Sequence, residues 1–232
     1  MAVSRKLIAA LRHELKAHTN PEAAARGQAY VKSAMPLYGI DARTIRKITR
    51  NVFQQFPLSD FDHWHDTVLT LWRNARFREE RHCAILLCEE RKYSCYQTLD
   101  TLPMYEEMIV TGAWWDFVDP IAAHSIRGLL SCFPRKMAPV LKQWSCSQNI
   151  WKRRAAILSQ LRLKDKTNLK LLYQCIGPSL GSGEFFLQKA IGWALRDYAW
   201  HDSREIVRYV TANKNRLSKL SQREALKNLS RR

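Results

Sequence analysis

The chain has 232 residues, 46% of them hydrophobic, with 38 Lys+Arg against 21 Asp+Glu for a formal charge of +17. That size and composition permit a sizeable core and exclude global disorder, and the lack of an 18-residue apolar run excludes a membrane span. The positive excess points to a polyanionic partner, nucleic acid first, with an anionic membrane surface or an acidic protein behind it.

The periodicity predicts helices nearly throughout. Leu, Ala, Arg and Lys are abundant, Gly and Pro number 8 each, and alternating β-branched runs are missing. About twelve helices fit the pattern. The opening residues, Met1 to Ala10, are soon followed by Arg12, His13, Glu14 and Lys16. That is too polar for a signal peptide and suits an amphipathic helix. Thr19-Asn20-Pro21-Glu22 starts the next helix, with proline in its first turn. Ser59-Asp60-Phe61-Asp62 and Thr167-Asn168 read as further N-caps. His63-Trp64-His65 has no second ligand cluster and reads as two polar positions on a helix, so no metal is expected. The six cysteines form no Cys-x-x-Cys pair, and reduced, mostly buried thiols in a cytosol are expected. Pro178-Ser179-Leu180-Gly181-Ser182-Gly183 is a loop, followed by a helix from Glu184 to about Trp200. The basic end, Lys214 through Arg232, reads as a solvated helix face, with contact to flanking nucleic-acid backbone as the second reading.

A weak internal repeat runs through these helices. Arg81-His82-Cys83-Ala84-Ile85-Leu86 resembles Arg153-Arg154-Ala155-Ala156-Ile157-Leu158, and Gln188-Lys189-Ala190-Ile191-Gly192-Trp193 fits the same frame. The spacing implies a unit of about 36 residues, a helical pair, with one diverged copy between the first two. Small residues at 155, 156, 190 and 192 let neighbouring helices approach. The expected architecture is an all-α solenoid, a single domain over residues 1–232, whose second helices line a concave basic face. Arg153, Arg154 and Lys189 fall on those helices.

No phosphate-cradling glycine loop, dinucleotide fingerprint, Gly-x-Ser-x-Gly elbow or His-Glu-x-x-His motif is present. Nucleotide hydrolysis and hydride transfer are therefore not expected. One segment stands out, Thr111-Gly112-Ala113-Trp114-Trp115-Asp116-Phe117-Val118-Asp119-Pro120. If Trp115 begins a helical turn, Asp119 lies at i+4 on the same face. Pro120 tolerates only a first turn or a kink. Two readings stay open on the residues alone: an aromatic surface beside a working carboxylate, or two packing tryptophans with Asp119 as a cap. Asn149-Ile150-Trp151-Lys152-Arg153-Arg154 and Phe185-Phe186-Leu187-Gln188-Lys189-Ala190-Ile191-Gly192-Trp193 carry more basic and aromatic character than an ordinary core helix requires.

These three segments, in this order, resemble the AlkD family of DNA alkylation repair glycosylases. The resemblance runs from Ala29-Tyr30 to Ser221-Gln222-Arg223-Glu224-Ala225 and is strongest from Trp114 onward. It departs from the family at Asp41-Ala42-Arg43, where a proline is expected. The resemblance implies tandem HEAT-like helical pairs around a DNA duplex and excision of cationic N3- and N7-alkylated purines, such as 3-methyladenine and 7-methylguanine. It implies Asp119 as the catalytic carboxylate, Trp115 and Trp193 as aromatic walls, and Arg154 as an arginine facing the DNA backbone. It matches Tyr30 to a site-lining tyrosine, and it implies that the lesion can stay stacked in the duplex. Trp114, Lys152, Arg153, Lys189 and Arg196 are further substrate or phosphate candidates.

The residue types suit that chemistry. A cationic purine leaves as a neutral base, so one carboxylate can replace the pair of an ordinary glycosidase. Asp119 would stabilise the oxocarbenium-like sugar and orient water. No lysine lies within Trp114–Asp119, so a monofunctional glycosylase is expected. Neither metal nor organic cofactor is expected, and the protein should act as a cytoplasmic, nucleoid-associated monomer of bacterial type. Two other readings share the charge and the repeats: a non-catalytic HEAT-like protein binding distorted or branched DNA, and an α-solenoid scaffold for an acidic protein.

Overall fold

Leu7, Leu11 and Leu15 recur every fourth residue and bury one stripe of the first helix, α1 (Arg5–Ala17). The same logic repeats along the chain. The computed structural model describes residues 3–227, and among these it has fourteen α-helices, no strand and about 75% helix. That is about two helices more than the periodicity implies, one of them because a single rod is broken by a wide turn. Residues 228–232 of the basic end lie outside the described residues. By their contacts the residues divide into two compact units, Met1–Met104 and Tyr105–Arg232.

The first unit holds α1, α2 (Pro21–Val31), α3 (Ala42–Gln55), α4 (Phe61–Arg73) and α5 (Arg78–Glu89). Asn20 caps α2 by accepting the Ala23 N–H, Pro21 is its first residue, and Asp60 caps α4 through the His63 N–H. α4 and α5 pack as a hairpin, and α1 and α3 close against them. Trp64, Trp72, Val68 and Leu71 of α4 fill the middle. Two buried carboxylates order the 33–41 loop. Glu79 accepts the N–H groups of Tyr38, Gly39 and Ile40, and Glu80 accepts the Tyr38 hydroxyl and the Arg12 Nε–H. Gly39 sits at φ +82°, and a Cβ there would lie 2.2 Å from the Asn20 carbonyl oxygen, so only glycine fits.

The second unit is built of stacked helical pairs. α6 (Leu102–Gly112) leads into a rod made of α7 (Trp115–Pro120), a π turn (Ile121–Ile126) and α8 (Arg127–Cys132). Backbone angles stay helical through both junctions. Pro120 is the sixth residue of α7, and the wide turn begins directly after it. A proline there lacks its N–H and crowds the preceding turn, which a π turn accommodates. Then follow α9 (Pro134–Ser145), α10 (Ile150–Leu158), α11 (Leu169–Ile176), α12 (Phe185–Ala199), α13 (Ser203–Ala212) and α14 (Lys219–Leu226). α10 packs between the rod and α12, and α12 packs on α14; α9 meets α11 behind them. The repeated Arg153 and Gln188 segments lie on the adjacent helices α10 and α12, as a tandem repeat requires. Ala155, Ala156 and Ala190 are buried at these contacts. Gly192 brings α12 so near α14 that a Cβ would stand 2.5 Å from the Glu224 Cβ and 3.1 Å from the Ser221 carbonyl oxygen.

Three of the six cysteines, Cys95, Cys132 and Cys146, are exposed, which corrects the expectation of mostly buried thiols. They occupy helix ends and a short 3-10 turn, where no second layer covers them. Among the described residues no helix is long and apolar enough to cross a membrane.

Candidate active site

The site begins at a strained joint. α6 ends at Gly112, Ala113 turns back at φ +43°, and Trp114 is extended before α7. A left-handed alanine costs about 1–2 kcal/mol, and here the turn delivers two tryptophans and a carboxylate in succession. Trp114 precedes the helix and lies against Trp151 of α10 and Phe186 of α12, with ring centroids 5.8 and 5.2 Å away. Trp151 and Phe186 themselves meet at 5.0 Å. Three segments distant in sequence are thus joined by one aromatic cluster. The Trp114 indole N–H is buried without a hydrogen-bond partner among the described residues, at a cost of about 1–3 kcal/mol.

Trp115 is the first residue of α7 and is half-buried, and Asp119 follows one turn later. Asp119 does not cap the helix. Its two oxygens accept the Arg154 Nε–H at 2.6 Å and the Nη2–H at 2.7 Å, a fork across α7 and α10. The Arg154 Nη1–H donates to the Phe186 carbonyl at the start of α12. The side chains of Asp119 and Arg154 are only 10% and 6% exposed. Burial pushes the Asp119 carboxyl above the usual carboxylate range, the Arg154 fork pulls against that, and the Asp116 charge adds to the rise. Both oxygens accept charge-assisted N–H groups, the geometry of an ionised carboxylate. Each oxygen keeps a second lone pair, and two of the five guanidinium N–H groups remain for another acceptor.

The other expected cations each have a partner within the second unit. Lys152 pairs with Glu106 at 2.5 Å. Arg153 donates to the Ser179 hydroxyl and the Pro178 carbonyl. Lys189 and Arg196 both pair with Glu224, at 3.1 and 2.5 Å. Burial pushes the Glu224 carboxyl up, but Lys189 and Arg196 outweigh it and hold the group below the ordinary glutamate range. Trp193 is half-buried on α12, between Lys189 and Arg196 on the same helix face. Tyr30 lies on α2 in the first unit and is 74% exposed. His63 and His65 engage Ser59 and Asp66, and among the described residues no His, Cys, Asp and Glu cluster could hold a metal.

Sequence reasoning did not single out Trp151, Phe186, Glu106 or Glu224. The first two sit inside segments already conspicuous for their aromatics, but no spacing rule pairs them with Trp114. It also passed over α3, where Arg43, Arg46, Lys47 and Arg50 recur at i, i+3, i+4 and i+7 and are all exposed. None of the four makes an ion pair among the described residues. Periodic exposed cations were the available signal.

A family model described as DNA alkylation repair enzyme matches residues 11–229. The chain is similar to a solved structure described as a predicted DNA alkylation repair enzyme from Enterococcus faecalis, with 27% identity, a TM-score of 0.80, and 93% of this chain and 98% of that one covered. It shares its fold with AlkD2 from Streptococcus mutans, at 16% identity and a TM-score of 0.60, with 89% and 97% covered. No curated protein matches the chain.

Proposed function

The chain belongs to the DNA alkylation repair enzyme family, and from that premise we propose that it is a monofunctional DNA glycosylase acting on cationic N3- and N7-alkylated purines in duplex DNA. The observation that carries this reading is the buried Asp119–Arg154 fork beside Trp115. A carboxylate so withdrawn from water acts strongly on any positive charge that develops near it. The alkylated base already carries that charge and departs neutral, so the reaction needs no acid to protonate the leaving group. Asp119 stabilises the oxocarbenium-like deoxyribose and directs water to its anomeric carbon through a free lone pair. The faces of Trp115 and Trp193 attract the cationic base, each contact contributing about 0.5–2 kcal/mol according to desolvation.

Arg154 holds Asp119 in place and offers its two remaining N–H groups to a phosphate. The exposed Arg43, Arg46, Lys47 and Arg50 of α3 supply unpaired charge for DNA backbone. No lysine within Trp114–Asp119 is available to form an imine with the abasic sugar, so strand cleavage is not expected. In this reading the whole chain works as one glycosylase, as a monomer on DNA in the cytoplasm, without metal or cofactor.

The test is incubation of folded protein with methylated duplex at 25 °C. Free 3-methyladenine and 7-methylguanine are expected above the spontaneous rate. Asp119→Asn, below its melting temperature, should lose excision and keep most of its DNA affinity. Folded wild-type protein that releases neither base would refute the reading.

A further inference from the structure

A site that accepts a cation on a strongly basic protein has an electrostatic problem, because the charge that attracts DNA repels the base to be removed. The second unit carries an answer on α12. Lys189, Trp193 and Arg196 stand at i, i+4 and i+7, so the tryptophan is flanked on one face by two cations. Left alone, these would place two positive charges within a turn of the indole. Glu224 of α14 meets both of them, Lys189 at 3.1 Å and Arg196 at 2.5 Å, and its side chain is only 11% exposed.

Its position is built rather than incidental. Gly192, next to Trp193, has no side chain, and a Cβ there would strike the Glu224 Cβ. The Ser221 hydroxyl, one turn before Glu224, donates to the Gln188 carbonyl and ties α14 to α12 at the same level. The same pattern recurs on α10, where Lys152 is met by Glu106 and Arg154 by Asp119.

We infer that Glu224 is a specificity-determining residue: it neutralises Lys189 and Arg196 so that the Trp193 face admits a positively charged base. This rests on the cationic-purine reading above and deepens it. Glu224 touches no reacting atom; it acts through the potential at Trp193. Removing its charge leaves Lys189 and Arg196 uncompensated about one helical turn on either side of Trp193, less than the Debye length of roughly 10 Å at 0.1 M salt, and should weaken binding of a cation at that indole by about three- to tenfold.

The test measures binding of the full chain to two duplexes with the same 2′-fluoro-2′-deoxy sugar at the probed position, one bearing 7-methylguanine, cationic and resistant to excision, and one bearing neutral 7-deaza-7-methylguanine. Their affinity ratio isolates recognition of the base charge. Wild-type protein should favour the cationic duplex. Glu224→Gln should lower the ratio by about three- to tenfold at 50 mM salt and much less at 500 mM. Lys189→Gln combined with Glu224→Gln returns the local charge to its original value and should restore the ratio, which a merely structural role of Glu224 would not allow. Glu205→Gln removes an equal charge from α13, where Glu205 pairs with Arg208, and should leave the ratio unchanged. Should Glu224→Gln fail to fold, Lys189→Gln alone should raise the ratio. A wild-type ratio of one, an unchanged ratio in Glu224→Gln, no restoration in the double variant, an equal shift in Glu205→Gln, or an unchanged ratio in Lys189→Gln overturns the inference. Failure of the glycosylase reading is seen separately, as no release of free base from a protein that still discriminates the two duplexes.

Discussion

Asp119 and Arg154 offer the sharpest quantitative expectation. Their fork is made of contacts of 2.6 and 2.7 Å between side chains no more than 10% exposed. In Arg154→Gln the carboxylate loses both charged donors and stays buried. In Asp119→Asn one acceptor becomes an NH2 facing a guanidinium N–H, so one bond is lost and a cation is left unmatched. Removing one partner of a buried pair costs about 3–5 kcal/mol. At roughly 2–4 °C per kcal/mol for a chain of this size, each single variant should lower the melting temperature by about 6–20 °C. The double variant buries two neutral amides that can bond each other, so its cost should fall short of the two single costs together by about 2–3 kcal/mol. Urea unfolding followed through the fluorescence of the 8 tryptophans measures all four proteins. Costs that add to within about 0.5 kcal/mol would mean that the two groups do not act as a pair, and the account of the site would fail with them.

Three other outcomes follow from the packing and the ionisable groups. Gly192→Val places a Cβ 2.5 Å from the Glu224 Cβ and should cost about 1–3 kcal/mol by overpacking, whereas Gly183→Ala, with nothing within 4 Å, should stay within about 0.5 kcal/mol of wild type; thermal melts compare them. Glu224 is held below its ordinary value of 4.5, so it binds protons less tightly folded than unfolded, and its contribution is full above that pH and lost as pH falls through the lower folded value. The stability gap between wild type and Glu224→Gln should therefore close on acidification below pH 4.5, and a gap that stays constant or widens there would refute the assignment. Native protein at pH 8 should show three fast-reacting thiols, Cys95, Cys132 and Cys146; Cys175, pushed up to about 12 by burial, should react only after denaturation, and six fast thiols in folded protein would contradict the packing of α11.

The caps were legible because capping is local chemistry. Asn20, Asp60 and Asn168 each accept an N–H three residues on, a bond that needs no distant partner. The i+4 relation of Trp115 and Asp119 was legible for the same reason: a helix fixes the angle between near neighbours. The repeat was legible where its copies stayed similar, on α5, α10 and α12, and faded where a proline and a π turn reshaped the rod between Trp115 and Cys132.

What composition and local pattern settle here is the helical class, the order of the elements, the excess of positive charge, and a short set of residues with the right chemistry. What they leave open is who meets whom. Each cation named from the sequence looked free for phosphate, yet Lys152, Arg154, Lys189 and Arg196 are answered by Glu106, Asp119 and Glu224, and Arg153 is held by Ser179. Those partners lie between 26 and 46 residues away along the chain. A carboxylate's partner depends on which helix faces which and on how near their backbones come. That distance is set by packing, down to the missing side chain of Gly192, and no periodicity within one helix encodes it.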